Sequence, residues 1–191
     1  AGKRVTALDR DPHAINAASA RLKRELASGA LDIIRCNYAD TATVPSLVGR
    51  QFDAVLLDLG VSSRQLDDDA RGFSFRLGTP LDMRMDDAGT TAADWLNSAT
   101  DATLSQTFRE YGDEPRANRL ARIIVERREH RPFSVSDDFV NAIRATLGAR
   151  SGPSDFARLL QALRIAVNEA CAVLLTHAHI DHSGQIPNLY K

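Results

Sequence analysis

Cysteine is scarce in this chain: Cys36 and Cys171 are the only two in 191 residues. They lie far apart and form no CxxC pair, which argues against a disulfide framework and fits a reducing cytoplasm. No apolar run is long enough to span a bilayer, and the opening AGKRVTALDRD is not a signal peptide. It enters a strand almost at once, without an initiating methionine, and reads as the middle of a domain. Net charge is also scarce: the formal value is −1, so no global field draws the chain to a polyanion. Any such contact must come from a local basic patch. There is no internal repeat, no low-complexity linker, and no Gly-x-Gly anywhere.

What remains is an ordinary globular balance, with 43% apolar and 26% charged residues. The length suits one domain with an insertion, or parts of two. Arg4 to Leu8 predicts a strand ending at Asp9. Asp11 is placed to cap a helix with Pro12 in its first turn, and Ala14, Ile15, Ala18, Leu22 and Leu26 keep helical spacing until Gly29. Leu31 to Ile34 predicts a second strand. Phe52 to Leu57 predicts a third, its near-continuous apolar character suiting a parallel strand covered on both faces. Strands joined by such crossovers give an α/β fold. From Thr90 the strands stop and four or five helical segments follow. Thr91 with Asp94 predicts a capping box, and Ser154 is expected to cap the last helix.

Ligand sites in open α/β sheets form at the carboxyl ends of the strands. Asp9 is placed there to accept from two ribose hydroxyls, or else to serve as a cap or ion-pair partner. Tyr38, after the second strand, suits an adenine ring, or a half-buried core position. Asp58, after the third, points into the same crevice, or holds its loop through Ser62 and Ser63. Successive strand ends offering an acid, an aromatic and an acid are more specific than any one alone.

A series of motifs then carries a resemblance. DRDP at Asp9–Pro12, DLGVSS at Asp58–Ser63, RGFSF at Arg71–Phe75 and PLDMRMD at Pro80–Asp86 stand in order along the chain. TAADWLN at Thr91–Asn97, FREYGDE at Phe108–Glu114 and QALRIAVNE at Gln161–Glu169 follow. Together they resemble the bacterial methyltransferases that modify the N4 amino group of a cytosine in small-subunit ribosomal RNA. The resemblance runs over about residues 3–170. It implies a partial Rossmann-like sheet over 1–89, a helical insertion over 90–168, and S-adenosylmethionine as cofactor. Asp9, Tyr38, Asp58 and Gln65 fall at the cofactor-binding positions. Arg64 stands where that family usually has proline. The implied partner is small-subunit rRNA in the cytoplasm, with no membrane and no DNA.

An exocyclic amine on cytosine is a poor nucleophile, so catalysis is mostly positioning, helped by an oxygen that draws off a proton. Asp58 is the candidate acceptor. Phe73 and Phe75, flanked by arginines, are candidates to stack on an extruded base, or to pin their loop to the core. Asp82 and Arg84 join them as candidate substrate contacts. Arg116, Arg119 and Arg122 recur every three residues, to meet phosphates or to form a solvated helix face. The glycine turn that this fold class uses against its cofactor is absent, so the chain as written is expected to be inactive.

The last segment, 169–191, has a different character. His177, His179, Asp181 and His182 form an HxHxDH motif after an apolar strand. It resembles the opening of a metallo-β-lactamase-fold RNA hydrolase and implies zinc at an incomplete site. The expectation is a composite chain, of the kind a spliced or misassembled reading frame would give. Its alternatives to methyl transfer are a zinc-dependent hydrolase fragment and a non-catalytic fragment.

Overall fold

The computed structural model describes residues 3–56 and 63–168, and at 63 and 64 the backbone alone. The first strand, β1 (Val5–Asp9), pairs in parallel with β2 (Leu31–Arg35), with Val5 opposite Leu31 and Asp9 opposite Arg35. Two helices, α1 (Pro12–Arg21) and α2 (Lys23–Ala27), make the crossover. Asp11 caps α1 through His13 N at 2.9 Å, with proline in the first turn as expected. The single helix expected as far as Gly29 is instead broken at Leu22, whose amide still donates to Ala18 O. A 3-10 turn, Tyr38–Thr43, follows β2.

The third strand is corrected over its described part. Phe52 to Leu56 forms no strand, and Val55 and Leu56 are 69% and 91% exposed. A strand exists only by the ladder it joins, and apolar content alone supplies none. The ladder among the described residues is the β1–β2 pair. Leu57 and Asp58 lie outside the described residues.

Five helices follow: α4 (Ala92–Ser98), α5 (Asp101–Glu110), α6 (Ala117–His130), α7 (Ser136–Leu147) and α8 (Pro153–Val167), with the short α3 (Ser63–Asp67) preceding them. The Thr91–Asp94 capping box forms as the motif predicts, Asp94 N donating to Thr91 Oγ1 at 3.0 Å. The last helix starts differently: Gly152, not Ser154, is its cap, and Gly152 N donates to Asp155 Oδ2 at 3.0 Å. Asn97 bridges to the segment before α7, its side-chain amide exchanging hydrogen bonds with Phe133 N and O at 2.9 Å each.

The core sits in the helices. Leu96, Leu104, Phe108, Leu120, Phe139, Ile143, Leu159 and Leu163 are fully buried. Phe73, Leu81 and Met83 enter the same cluster from the loop between α3 and α4. That loop is therefore the anchor between the two parts: its apolar residues fill the helical core while Arg71 and Asp86 bond to Asp11 and Arg10 of the sheet part. Among residues 3–56 only Asp11 and Leu31 are buried, so the sheet part is held mainly by polar contacts.

Candidate functional site at the carboxyl end of the sheet

The parallel register puts Asp9 and the residues after Arg35 at one end of the sheet, so Asp9 and Tyr38 share that end. Asp9 is exposed, and its Oδ1 accepts from Asp11 N at 2.8 Å, which fixes the carboxylate at the strand's end. Tyr38 is half-buried at the start of the 3-10 turn. Gln65, on α3, reaches the same place: its Nε2 donates to Asp11 Oδ2 at 2.7 Å. Two of the four expected cofactor residues, Asp9 and Gln65, are thus joined through Asp11, and Tyr38 follows the strand that ends beside them. Asp58, the fourth, lies outside the described residues.

The centre of this arrangement is a residue read from the sequence only as a helix cap. Asp11 is 3% exposed. Besides capping α1 and holding Gln65, it receives Arg71 Nη1 on both oxygens, at 3.2 and 3.0 Å. Arg71 continues through Nη2 to the carbonyls of Arg84 and Met85, at 3.0 and 3.2 Å, and its guanidinium lies over the Phe73 ring. Arg10 grips the next residue, Asp86, through Nε and Nη2 at 3.0 and 2.5 Å. It also donates to Asn168 O at 3.1 Å. Asn168 closes the ring, accepting from Met85 N at 2.8 Å and donating to Met83 O at 2.7 Å. Sheet, loop and the end of α8 are thereby tied around Met83–Asp86. The participants sit in the motifs DRDP, RGFSF, PLDMRMD and QALRIAVNE. Opposite charges recur among those motifs, but nothing local in the sequence pairs them.

The expected substrate residues divide. Phe73 is buried beneath Arg71, so it pins the loop and offers no face to a base. Phe75 is 40% exposed and packs edge-on against Phe156, ring centres 6.1 Å apart. Asp82 and Arg84 pair with each other, Nε to Oδ1 and Nη2 to Oδ2, both at 2.8 Å. Two of the three arginines spaced along the start of α6 find protein partners. Arg116 donates to the carbonyls of Thr146 and Leu147, and Arg119 to that of Ala145, closing the carboxyl end of α7. A cation at the last turn of a helix meets the negative end of its dipole, which explains why two of the three point there. Arg128 does the same for α4 through Leu96 O and Ala99 O.

The electrostatics follow from these bonds. Burial works against the charge of Asp11, but Gln65, His13 N–H and Arg71 outweigh it and hold its carboxyl below the ordinary aspartate range. The Arg84 hydrogen bond lowers Asp82 against the opposing effect of burial. Burial likewise opposes ionisation of Asp86, and Arg10 with Ala88 N–H overcomes it. A carboxylate whose folded pKa is depressed adds stability above its unfolded pKa, and that stability is lost as pH falls through the folded value. The thermal midpoint should therefore hold steady from about pH 7 to 5 and drop below about pH 4. Arg71→Met should flatten that acid-side drop, since it removes a partner that keeps Asp11 ionised. An unchanged acid limb in Arg71→Met would count against the ring.

Comparison with known proteins gives the lineage. The profile of the MraW methylase family matches residues 1–180. The chain belongs to the MraW methylase family. Among similar proteins, the Ribosomal RNA small subunit methyltransferase H of Gemmatimonas aurantiaca is 54% identical over 169 residues, 88% of this chain and 54% of its own length. Its namesake in Heliobacterium mobile is 40% identical over 177 residues, 90% of this chain and 56% of its own length. That of Deinococcus radiodurans is 40% identical over 175 residues, with 91% and 54% covered. The chain spans about half the length of the curated relatives it matches. The small parallel sheet and the many helices agree with a partial Rossmann-like methylase of this family.

The MraW match bears on the last segment of the chain. It continues to residue 180, past the boundary expected near 170, and takes in His177 and His179. The metallo-β-lactamase resemblance finds no support in these comparisons. His177, His179, Asp181 and His182 lie outside the described residues. Among the described residues no group of His, Cys, Asp or Glu is arranged to hold a metal ion, and no helix is long and apolar enough to cross a membrane.

Proposed function

We propose that the protein transfers a methyl group to the N4 amine of a cytosine in small-subunit ribosomal RNA, with S-adenosylmethionine as donor. The observation that carries this reading is the gathering of Asp9, Tyr38 and Gln65 at one end of the β1–β2 pair, in a member of the MraW methylase family. The donor set suits that cofactor: a fixed, exposed carboxylate at a strand end, an aromatic ring on the neighbouring strand's exit, and a side-chain amide.

Each residue then has a task. Asp9 accepts from the ribose hydroxyls, Tyr38 lies along the adenine ring, and Gln65 bonds a polar group of the same ligand. The cofactor supplies an electrophilic methyl on sulfur. Asp58 accepts a proton from the target amine as its lone pair turns toward that methyl. Phe75 meets a base, with Phe73 holding its loop, and Asp82 and Arg84 meet the RNA as a fixed pair. The helical segment 90–168 is the insertion that carries the loop's anchor. Zinc has no part in this reading.

The test is incubation of the intact gene product with methyl-labelled cofactor and undermethylated small ribosomal subunits. Label should appear in N4-methylated cytidine after digestion of the RNA. Label on another base, or none, would overturn the proposal. Asp58→Asn should lower kcat by about 10²- to 10⁴-fold, the range of a positioned proton acceptor. Unchanged kcat with unchanged cofactor binding would remove Asp58 from its role.

A further inference from the structure

We propose that Arg164 holds a backbone phosphate of the RNA substrate, on the face of α8 that borders the Met83–Asp86 segment. This rests on the reading above and deepens it. Six arginines among the described residues are not exposed: Arg10, Arg71, Arg84, Arg128, Arg158 and Arg164. The first five each donate to a carboxylate or to backbone carbonyls. The guanidinium of Arg164 makes no hydrogen bond, ion pair or ring contact among the described residues. Burial alone pushes it below the usual arginine range, with no neighbouring charge to offset that. The charged head, and not only the aliphatic stem, is therefore drawn out of water. A guanidinium stays protonated, so it does not relieve the cost by neutralising. A cation in such a place is unfavourable until an anion pairs with it.

The placement says which anion. At about 3.6 residues per turn, Gln161, Arg164 and Asn168 share one face of α8, opposite the core side of Leu159, Ala162 and Leu163. Asn168 docks that face on Met83 and Met85, and its carbonyl takes Arg10. Arg164 stands one turn back, its carbonyl accepting from Asn168 Nδ2 at 2.9 Å. A helical side chain leans toward the N-terminus of its helix, so Arg164 leans away from Arg10 and the strand ends. Gln161, half-buried on the same face, also makes no side-chain hydrogen bond among the described residues. The polar groups here are thus not engaged by the protein. The proposed reaction offers two anions, the carboxylate of the cofactor's amino-acid tail and the RNA phosphates. The proposed cofactor residues lie at the strand ends, beyond Asn168, and Arg164 leans the other way. A net charge of −1 gives no general pull on RNA, and Arg116 and Arg119 are engaged at the end of α7. A guanidinium meets phosphate oxygens with paired N–H donors.

The experiment removes the charge and keeps the stem. In the intact gene product, Arg164→Met should hold or raise the thermal midpoint, because an unpaired half-buried charge adds nothing to the free fold. Binding to undermethylated small ribosomal subunits, measured by filter retention, should weaken by about 10- to 100-fold, the worth of a hydrogen bond to a charged group. The slope of log affinity against log salt should become shallower by about 0.7, one released counterion fewer. Arg164→Lys should keep the parent's slope and recover part of the affinity. Affinity for S-adenosylhomocysteine, by calorimetry, should stay near the parent's in both variants.

Unchanged RNA affinity and salt slope in Arg164→Met overturn the proposal. So does weaker binding of S-adenosylhomocysteine with RNA binding intact, which makes the cofactor's carboxylate the occupant. A thermal midpoint that falls steeply, or a variant that does not fold, means that the protein itself pairs the guanidinium, and overturns the proposal as well. Parent protein that neither binds nor methylates these subunits would instead overturn the functional reading, and this proposal with it.

Discussion

Phe108→Ala should lower the unfolding free energy by about 3–5 kcal/mol, the usual cost of deleting a fully buried phenylalanine. Phe108 has no exposed surface and occupies the middle of the helical core. Its ring stacks on Phe139 with centres 5.5 Å apart and meets Trp95 edge-on at 6.4 Å. Removing it strips one face from both neighbours, and those neighbours lie on α4 and α7. The cavity therefore opens where three helices meet, and no single side chain can turn to fill it. The loss is a large share of the 5–15 kcal/mol typical of a domain. Urea unfolding should show a lower midpoint at unchanged slope. Phe108→Leu, which keeps most of the volume, should cost under about half as much. A Phe108→Ala cost below about 1 kcal/mol would mean that these helices do not close around residue 108.

That core was legible because its signals are local. Apolar residues at helical spacing, the Thr91–Asp94 box and Pro12 behind Asp11 are each decided within one or two turns of chain. The same holds for the strand ends, where Asp9 and Tyr38 emerge at one edge once β1 and β2 pair in parallel. The ring around Met83–Asp86 was not legible. Arg71 meets Asp11 across 60 residues, and Arg10 meets Asp86 across 76. An arginine carries no mark of which distant carboxylate it will find. The α6 arginines show the same limit from the other side. Their three-residue spacing suited a phosphate-binding face, yet Arg116 and Arg119 close the end of α7. Phe52 to Leu56 fails for a related reason, since apolar composition describes what a strand would bury and not whether a neighbour is there to pair with it.

The loop that joins the two parts gives the other large effect. Gly72→Ala should destabilise the protein by about 3 kcal/mol or more, while Gly78→Ala, six residues on, should cost about 1 kcal/mol. Both glycines sit in the left-handed region, with φ of +65° and +76°. An alanine at either therefore bears the same backbone penalty. Only their surroundings differ. A Cβ on Gly78 would meet nothing within 4 Å, whereas a Cβ on Gly72 would run into the carbonyl oxygen of Pro80 and lie 2.9 Å from Asp82 N. Those are backbone atoms and cannot rotate away. They are also tied down, since Leu81 N donates to Ser134 O and Met83 N to Arg71 O, each at 3.0 Å. Relief must therefore come from moving the Pro80–Met83 segment, which carries Leu81 and Met83 into the core and sets Asp82 beside Arg84. The difference between the two variants isolates the collision from the left-handed cost, and thermal or urea unfolding of both measures it. Equal costs would mean that Pro80–Met83 shifts freely, and the clasp of Arg71, Arg10 and Asn168 would then not be what holds it.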